Sequence, residues 1–229
     1  MQKISILLVD DHSIVRQGLK ALLEAEPDLT IVAEAQSGRE AVQLAAQHRP
    51  EVVLMDLAMP FLNGWEATRQ IVKAVPNTKI VILSTYGDDK HIHRAIAAGA
   101  AAYLLKQTAA TDLVKAIHEV KKGNAYFSPV IAKRLRERTC LPAKEGAEKT
   151  PADVELTPRE AEVLQLITEG FANKQIASEL GLSVKTVEKH RQQLMAKLDI
   201  HQIAGLVRHA ADEGIIEMNG SGVPATSSS

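Results

Sequence analysis

Ile4-Ser5-Ile6-Leu7-Leu8-Val9-Asp10-Asp11 is a strand-like apolar run that ends on two adjacent acids. Val52-Val53-Leu54-Met55-Asp56 repeats the device with one acid. Two more runs follow the same scheme with other polar ends, Ile80–Leu83 before Ser84 and Tyr103–Leu105 before Lys106, while a fifth, Leu29–Glu34, carries no such residue. Their near-continuous apolar character predicts strands covered on both faces, which is the habit of parallel sheets with crossover helices. Helical patterns lie between them at Ser13–Ala25, Gly38–His48, Asn63–Val75, Asp89–Ala98 and Thr111–Lys122. In the first, Ile14, Leu19, Leu22 and Leu23 form an apolar stripe at near-helical spacing. Residues 1–122 are therefore expected to form an α/β, doubly wound, parallel five-stranded sheet in the order 2-1-3-4-5.

In such a sheet the carboxyl ends of the strands form the ligand crevice. Asp10, Asp11 and Asp56 would converge there, joined by the Ser84 hydroxyl and the Lys106 ammonium. Three carboxylates that close repel one another unless a cation sits among them. Oxygen ligands with open positions suit Mg²⁺. The metal would let Asp56 attack an anionic phosphodonor, and Ser84 and Lys106 would then hold the phosphoryl oxygens.

The chain has 229 residues, enough for two domains, and 45% hydrophobic content supports real cores. Its net charge of −1 excludes a globally basic nucleic-acid binder, so any such site must be a local patch. The single cysteine, Cys140, excludes a disulfide framework and reads as a free thiol in a linker. Met1-Gln2-Lys3 leads straight into a run too short to span a membrane, so a cytoplasmic protein without a membrane partner is expected.

Residues 123–155 read as a linker, with Ser128-Pro129 starting a short helix through Arg138 and a tether over 139–155. From 156 to 217 four helices fit, at 158–169, 173–180, 184–198 and 202–213. Thr157-Pro158-Arg159-Glu160 is a capping box with proline at the first helical position. Ala177, Gly181 and Val187 have helix-turn-helix spacing, with Asn173 and Ser183 as the caps of its two helices. Val187, Leu194 and Leu198 would face inward, and Lys185, Glu188, Lys189 and Gln192 would share the opposite face, as groove reading requires. Residues 156–217 hold seven Lys/Arg against nine Asp/Glu, yet 184–198 hold four cations and one acid. DNA affinity without sequence preference should therefore be modest and steeply salt-dependent. On helix 202–213, Ile203, Leu206, Val207 and Ala210 are expected to pack the small domain, with a dimer seam as a further use. Residues 218–229 are small and polar and are expected to be disordered.

Asp10-Asp11, Asp56-Leu57-Ala58-Met59-Pro60, Asn63-Gly64, Ser84 and Tyr103-Leu104-Leu105-Lys106 resemble the receiver domain of two-component response regulators. That resemblance implies a flavodoxin-like fold and phosphotransfer from a sensor histidine kinase to Asp56. It also implies Mg²⁺ held by Asp10, Asp11, Asp56 and the Ala58 carbonyl, and a switch role for Ser84 and Tyr103. Two features depart from the pattern or add to it. Gln107 stands where many receivers have proline, and Tyr86, bulky beside the site, is expected to shield the acyl phosphate from water.

Leu156-Thr-Pro-Arg-Glu160, Asn173-Lys-Gln-Ile-Ala177 and Lys185-Thr-Val-Glu-Lys-His-Arg191 resemble the LuxR-type DNA-binding domain, and the pairing resembles the NarL/FixJ layout. By that likeness Lys185, Glu188, Lys189 and Gln192 face bases, Glu188 through a cytosine amino group or else paired with Lys185 or Gln192. Lys174, Thr186, His190 and Arg191 hold phosphates or pack. Double-stranded DNA, bound as a homodimer, is the implied partner. A Mg²⁺-dependent phosphatase of the haloacid-dehalogenase kind is a rival, but it would need Asp-x-Asp where this chain has Asp10-Asp11-His12. A regulator working without phosphate is a second rival. The expectation is thus a regulator with no catalytic residues of its own, rather than an enzyme.

Overall fold

A computed structural model describes residues 3–108, 110–133, 156–213 and 215–216. It divides into two units, Met1–Pro142 and Ala143–Ser229. The first runs β1 (Ile4–Val9), α1 (Ser13–Glu24), β2 (Leu29–Ala35), α2 (Gly38–His48), β3 (Val52–Asp56), α3 (Gly64–Ala74), β4 (Lys79–Ser84), α4 (Asp89–Ala97), β5 (Ala102–Leu105), α5 (Ala110–Lys121) and β6 (Tyr126–Phe127). All strands pair in parallel, in the order β2-β1-β3-β4-β5-β6.

Side chains alternate across the sheet, and each face has its own core. Leu7, Val9, Val53, Met55, Ile80, Ile82 and Tyr103 meet apolar residues of α2, α3 and α4 on one side. Ile6, Leu8, Val52, Leu54, Val81 and Leu104 meet Leu23 of α1 and Leu113, Ile117 and Val120 of α5 on the other. Ile14 departs from the stripe expected of α1: it is 83% exposed. It lies in the first turn of the helix, and Leu23 in the last turn is the residue buried against the sheet.

The sheet has six strands where five were expected. Gly123, at φ +90°, lets the chain turn after α5, and Tyr126 and Phe127 pair with Ala102 and Tyr103. Two residues are too few to show a strand period in sequence. Ser128 N–H then donates to the Tyr103 carbonyl at 3.3 Å, and residues 129–133 are helical and bury Ile131 completely. The rest of the expected helix through Arg138, the tether over 139–155 with Cys140, and the tail 218–229 lie outside the described residues.

The second unit contains α6 (Pro158–Thr168), α7 (Asn173–Leu180), α8 (Val184–Leu198) and α9 (Ile203–Asp212). Val163, Leu166, Ile176, Val187, Leu194, Leu198, Leu206 and Ala210 are buried at their contacts. Ile203, expected to pack inward, is instead 50% exposed at the start of α9. No helix among the described residues is long and apolar enough to cross a membrane.

Candidate phosphoryl and DNA-reading sites

The end of β3 is fastened from behind. Gly64 N–H donates to the Leu57 carbonyl at 2.9 Å, and a Cβ at Gly64 would lie 2.0 Å from the Asp56 carbonyl oxygen. Only glycine lets α3 start this close to the strand. Asn63 caps α3 by accepting from Glu66 N–H at 3.0 Å. The loop carrying Ala58 is thereby held between the strand end and the helix, and Ala58 is partly exposed within it.

Asp10 and Asp56 are almost wholly buried, at 1% and 3% exposure. Lys106 Nζ bridges them, 2.9 Å from Asp10 Oδ2 and 2.8 Å from Asp56 Oδ2. Asp56 Oδ1 also accepts from Leu57 N–H at 2.7 Å. Burial raises the Asp56 pKa; Lys106 opposes the rise, Asp10 and Asp11 add to it, and the group settles at about 7. Burial pulls Lys106 down, but Asp56 and Asp10 outweigh it and hold the ammonium above its ordinary value.

One donor atom from each of Asp10, Asp11, His12 and Asp56 lies within 4.8 Å of all the others. Asp10 Oδ2 and Asp11 Oδ1 are shut off from solvent without a well-aligned hydrogen bond, although Lys106 and His12 stand 2.9 and 2.7 Å away. Buried carboxylate oxygens with free lone pairs suit a hard divalent cation, so the donor set fits Mg²⁺. His12 joins the cluster without having been singled out by the sequence; its adjacency to Asp11 was the available signal. Arg16 steadies this end of the sheet, donating to the Asp10 carbonyl at 2.7 Å and pairing with Glu34 at 3.3 Å.

Ser84 ends β4, one residue beyond the partner of Asp56 in the ladder. Its carbonyl accepts from Lys106 N–H at 2.8 Å, and its Oγ accepts from Tyr86 N–H at 3.0 Å. Tyr103 is fully buried, and its hydroxyl donates to the Tyr86 carbonyl at 2.8 Å. Burial pushes the Tyr103 phenol up to about 12, so it stays a donor. The Tyr86 ring stacks on His91 at 4.5 Å, and His91 lies 5.5 Å from Trp65. After Lys106 the chain closes a turn, with Thr108 N–H donating to the Leu105 carbonyl at 2.8 Å, which gives the shape that Gln107 left open.

In the helical unit, Thr157 and Glu160 form the expected capping box. Glu160 Oε2 accepts from Thr157 N–H at 2.8 Å and from Lys197 Nζ at 2.6 Å, fastening α8 to the start of α6. Gly181 ends α7 at φ +64°, and Ser183 caps α8 through Thr186 N–H at 3.1 Å. Asn173 is not a cap: Ala172 takes that extended position, and Gln175 accepts from its N–H at 2.9 Å. Asn173 is the first helical residue, and its Oδ1 accepts from Arg191. Lys185, Glu188, Lys189 and Gln192 are exposed on α8 opposite buried Val187, Leu194 and Leu198. Lys174 is exposed on α7, whereas Thr186, His190 and Arg191 are partly buried.

Comparison with known proteins agrees with this geometry. The family "Response regulator receiver domain" matches residues 6–118, and "Bacterial regulatory proteins, luxR family" matches 154–210. The chain is 40% identical over 197 residues to the transcriptional regulatory protein LiaR of Bacillus subtilis, covering 86% of this chain and 92% of that one. It is 36% identical over 214 residues to the response regulator VraR of Staphylococcus aureus, covering 93% and 99%. Among solved structures, RcsB of Salmonella typhimurium superimposes with a TM-score of 0.57 at 26% identity, over 93% of this chain and all of that one. A complex of RcsB with DNA gives 0.56 at 25% identity, over 92% and 98%. Phosphorylation of the receiver is the switching mechanism of this family. A parallel α/β receiver joined to a LuxR-type helix-turn-helix, matched nearly end to end by such relatives, places this chain in the NarL/FixJ-type two-component response regulators, which are DNA-binding transcription regulators.

Proposed function

We propose that Asp56 is the phosphoacceptor, taking its phosphoryl group from a sensor histidine kinase in the cytoplasm and thereby controlling DNA binding by residues 156–217. The observation that carries this reading is Lys106 Nζ bridging buried Asp10 and Asp56 at 2.9 and 2.8 Å. An Asp56 oxygen attacks phosphorus in line as the phosphorus–nitrogen bond of the donor phosphohistidine breaks, and the leaving imidazole nitrogen takes a proton. Asp10, Asp11, Asp56 and the Ala58 carbonyl would hold Mg²⁺, which supplies charge neutralisation between the donor and the carboxylate. Lys106 and Ser84 then bind the phosphoryl oxygens. Turning Ser84 Oγ toward them releases Tyr86 N–H, and Tyr103 follows through its bond to the Tyr86 carbonyl.

On α8, Lys185, Glu188, Lys189 and Gln192 read bases, and Lys174 and Thr186 serve the phosphates flanking them. The chain binds DNA as a homodimer, for which the exposed Ile203 on α9 offers an apolar contact. The test is incubation with Mg²⁺ and acetyl phosphate, followed by mapping of the base-labile mass gain. Modification of Asp56, absent without Mg²⁺ and in Asp56→Asn, is expected. Undiminished labelling of Asp56→Asn would end this reading.

A further inference from the structure

Arg191 was expected to hold a phosphate or to pack, and its position on α8 separates those roles. At about 100° per residue, it lies roughly 110° round the helix from the centre of the Lys185, Glu188, Lys189 and Gln192 face. It lies only about 40° from the buried stripe of Val187, Leu194 and Leu198. The guanidinium is partly buried, and its Nη1 donates to Asn173 Oδ1 at 3.1 Å, across to the first residue of α7. That contact explains why an asparagine placed to be a cap does no capping: its acceptor is spent on the next helix.

The reading helix is thus fastened at two heights. Lys197 grips Glu160 near its C-terminal end, and Arg191 grips Asn173 near its middle. Ser183 caps its other end. Two fastenings along a rod fix both its position and its rotation, whereas one leaves it free to pivot. The rotation of α8 decides which base edges Glu188, Lys189 and Gln192 can reach.

We propose that Arg191, acting through Asn173, is a positioning residue that sets the rotation of the reading helix and hence base preference, and that it does not anchor a phosphate. This rests on the reading of α8 as the groove-reading helix. A phosphate anchor and a helix fastener differ in salt dependence: losing a phosphate contact lowers the slope of log K against log salt by about 1, and losing a fastener does not. They also differ in coupling, because two residues that act only through each other give non-additive losses.

The experiment uses the full chain treated with acetyl phosphate and Mg²⁺, and the duplex that the parent selects from a randomised pool. Arg191→Met keeps the aliphatic stem, and Asn173→Ala places a strong helix former at the first helical position, so both variants should stay folded. Each is expected to weaken binding about tenfold, in keeping with a hydrogen bond to a charged group. The double variant should be no weaker than either, the salt slope should be unchanged in Asn173→Ala, and base preference should relax alike in both. Additive losses, or a slope lowered by about 1 in Arg191→Met beside a harmless Asn173→Ala, would overturn the proposal. Failure of the parent to enrich any sequence would overturn the underlying reading of α8 as well, and is a separate observation.

Discussion

Asp56 is held in tension by its neighbours. Burial and the nearby Asp10 and Asp11 disfavour its charge, and Lys106 relieves only part of that cost. Removing one of several crowded carboxylates should therefore stabilise the metal-free fold. We predict that Asp56→Asn melts a few degrees above the parent without metal, and that Mg²⁺ raises the parent's melting temperature by more than the variant's. A variant that melts below the parent would show that Asp56 is a net stabiliser through Lys106. Tyr86 is pinned three ways, its N–H by Ser84, its carbonyl by Tyr103 and its ring by His91. We predict that this half-buried ring shields the acyl phosphate from water. Tyr86→Ala should lose phosphate severalfold faster, as read from the decay of the phosphorylated form on a gel.

Helix ends carry much of the local architecture. Glu160 is buried, which raises its pKa, yet Lys197 and Thr157 together hold it below its ordinary value of 4.5. A carboxyl depressed in the native state contributes stability that is complete above the unfolded value and is lost as pH falls through the native one. We therefore predict that the helical unit loses stability as pH drops from about 5 toward 3, and that Glu160→Gln flattens this dependence. The check is thermal unfolding followed across that range. On the first unit, the outer face of α1 carries exposed Ile14 and, one turn on, Gly18, where an added Cβ would meet nothing within 4 Å. We predict that the exposed Ile14, three residues past Asp11, is an apolar contact for a docking kinase. Ile14→Arg should slow transfer from a kinase by tenfold or so, in the range of a lost interfacial anchor. Labelling by acetyl phosphate should not change, and equal loss with both donors would remove the docking role.

Across the whole molecule, the phosphate arrives in one compact unit and DNA is read by another. Moving the active population from about 1% to 99% requires phosphorylation to favour it by roughly 5.5 kcal/mol. Acetyl phosphate with Mg²⁺ should accordingly tighten operator binding by the parent and leave Asp56→Asn unaffected, as measured by fluorescence anisotropy. An equal response from both would disconnect the phosphoryl site from DNA reading. Binding should also weaken steeply with salt, because the cations concentrate on α8 within an otherwise acidic unit.

What the sequence determined alone is whatever depends on short-range chemistry. Apolar runs ending in acids placed β1 and β3, the Thr157–Glu160 box placed α6, and Gly181 placed the turn before α8. Each of these is a matter of period, capping or backbone freedom within a few residues. The tertiary structure decided the rest. It added β6, whose two residues become a strand only because the β5 edge is there to pair with. It exposed Ile14 and Ile203, since a stripe shows which residues could be buried and only a neighbouring surface buries them. It brought Asp11 and His12 within reach of Asp56, and it turned Asn173 from a cap into the partner of Arg191. A side chain with two possible hydrogen-bonding partners takes the one that folding brings within reach, and no local pattern records which that is.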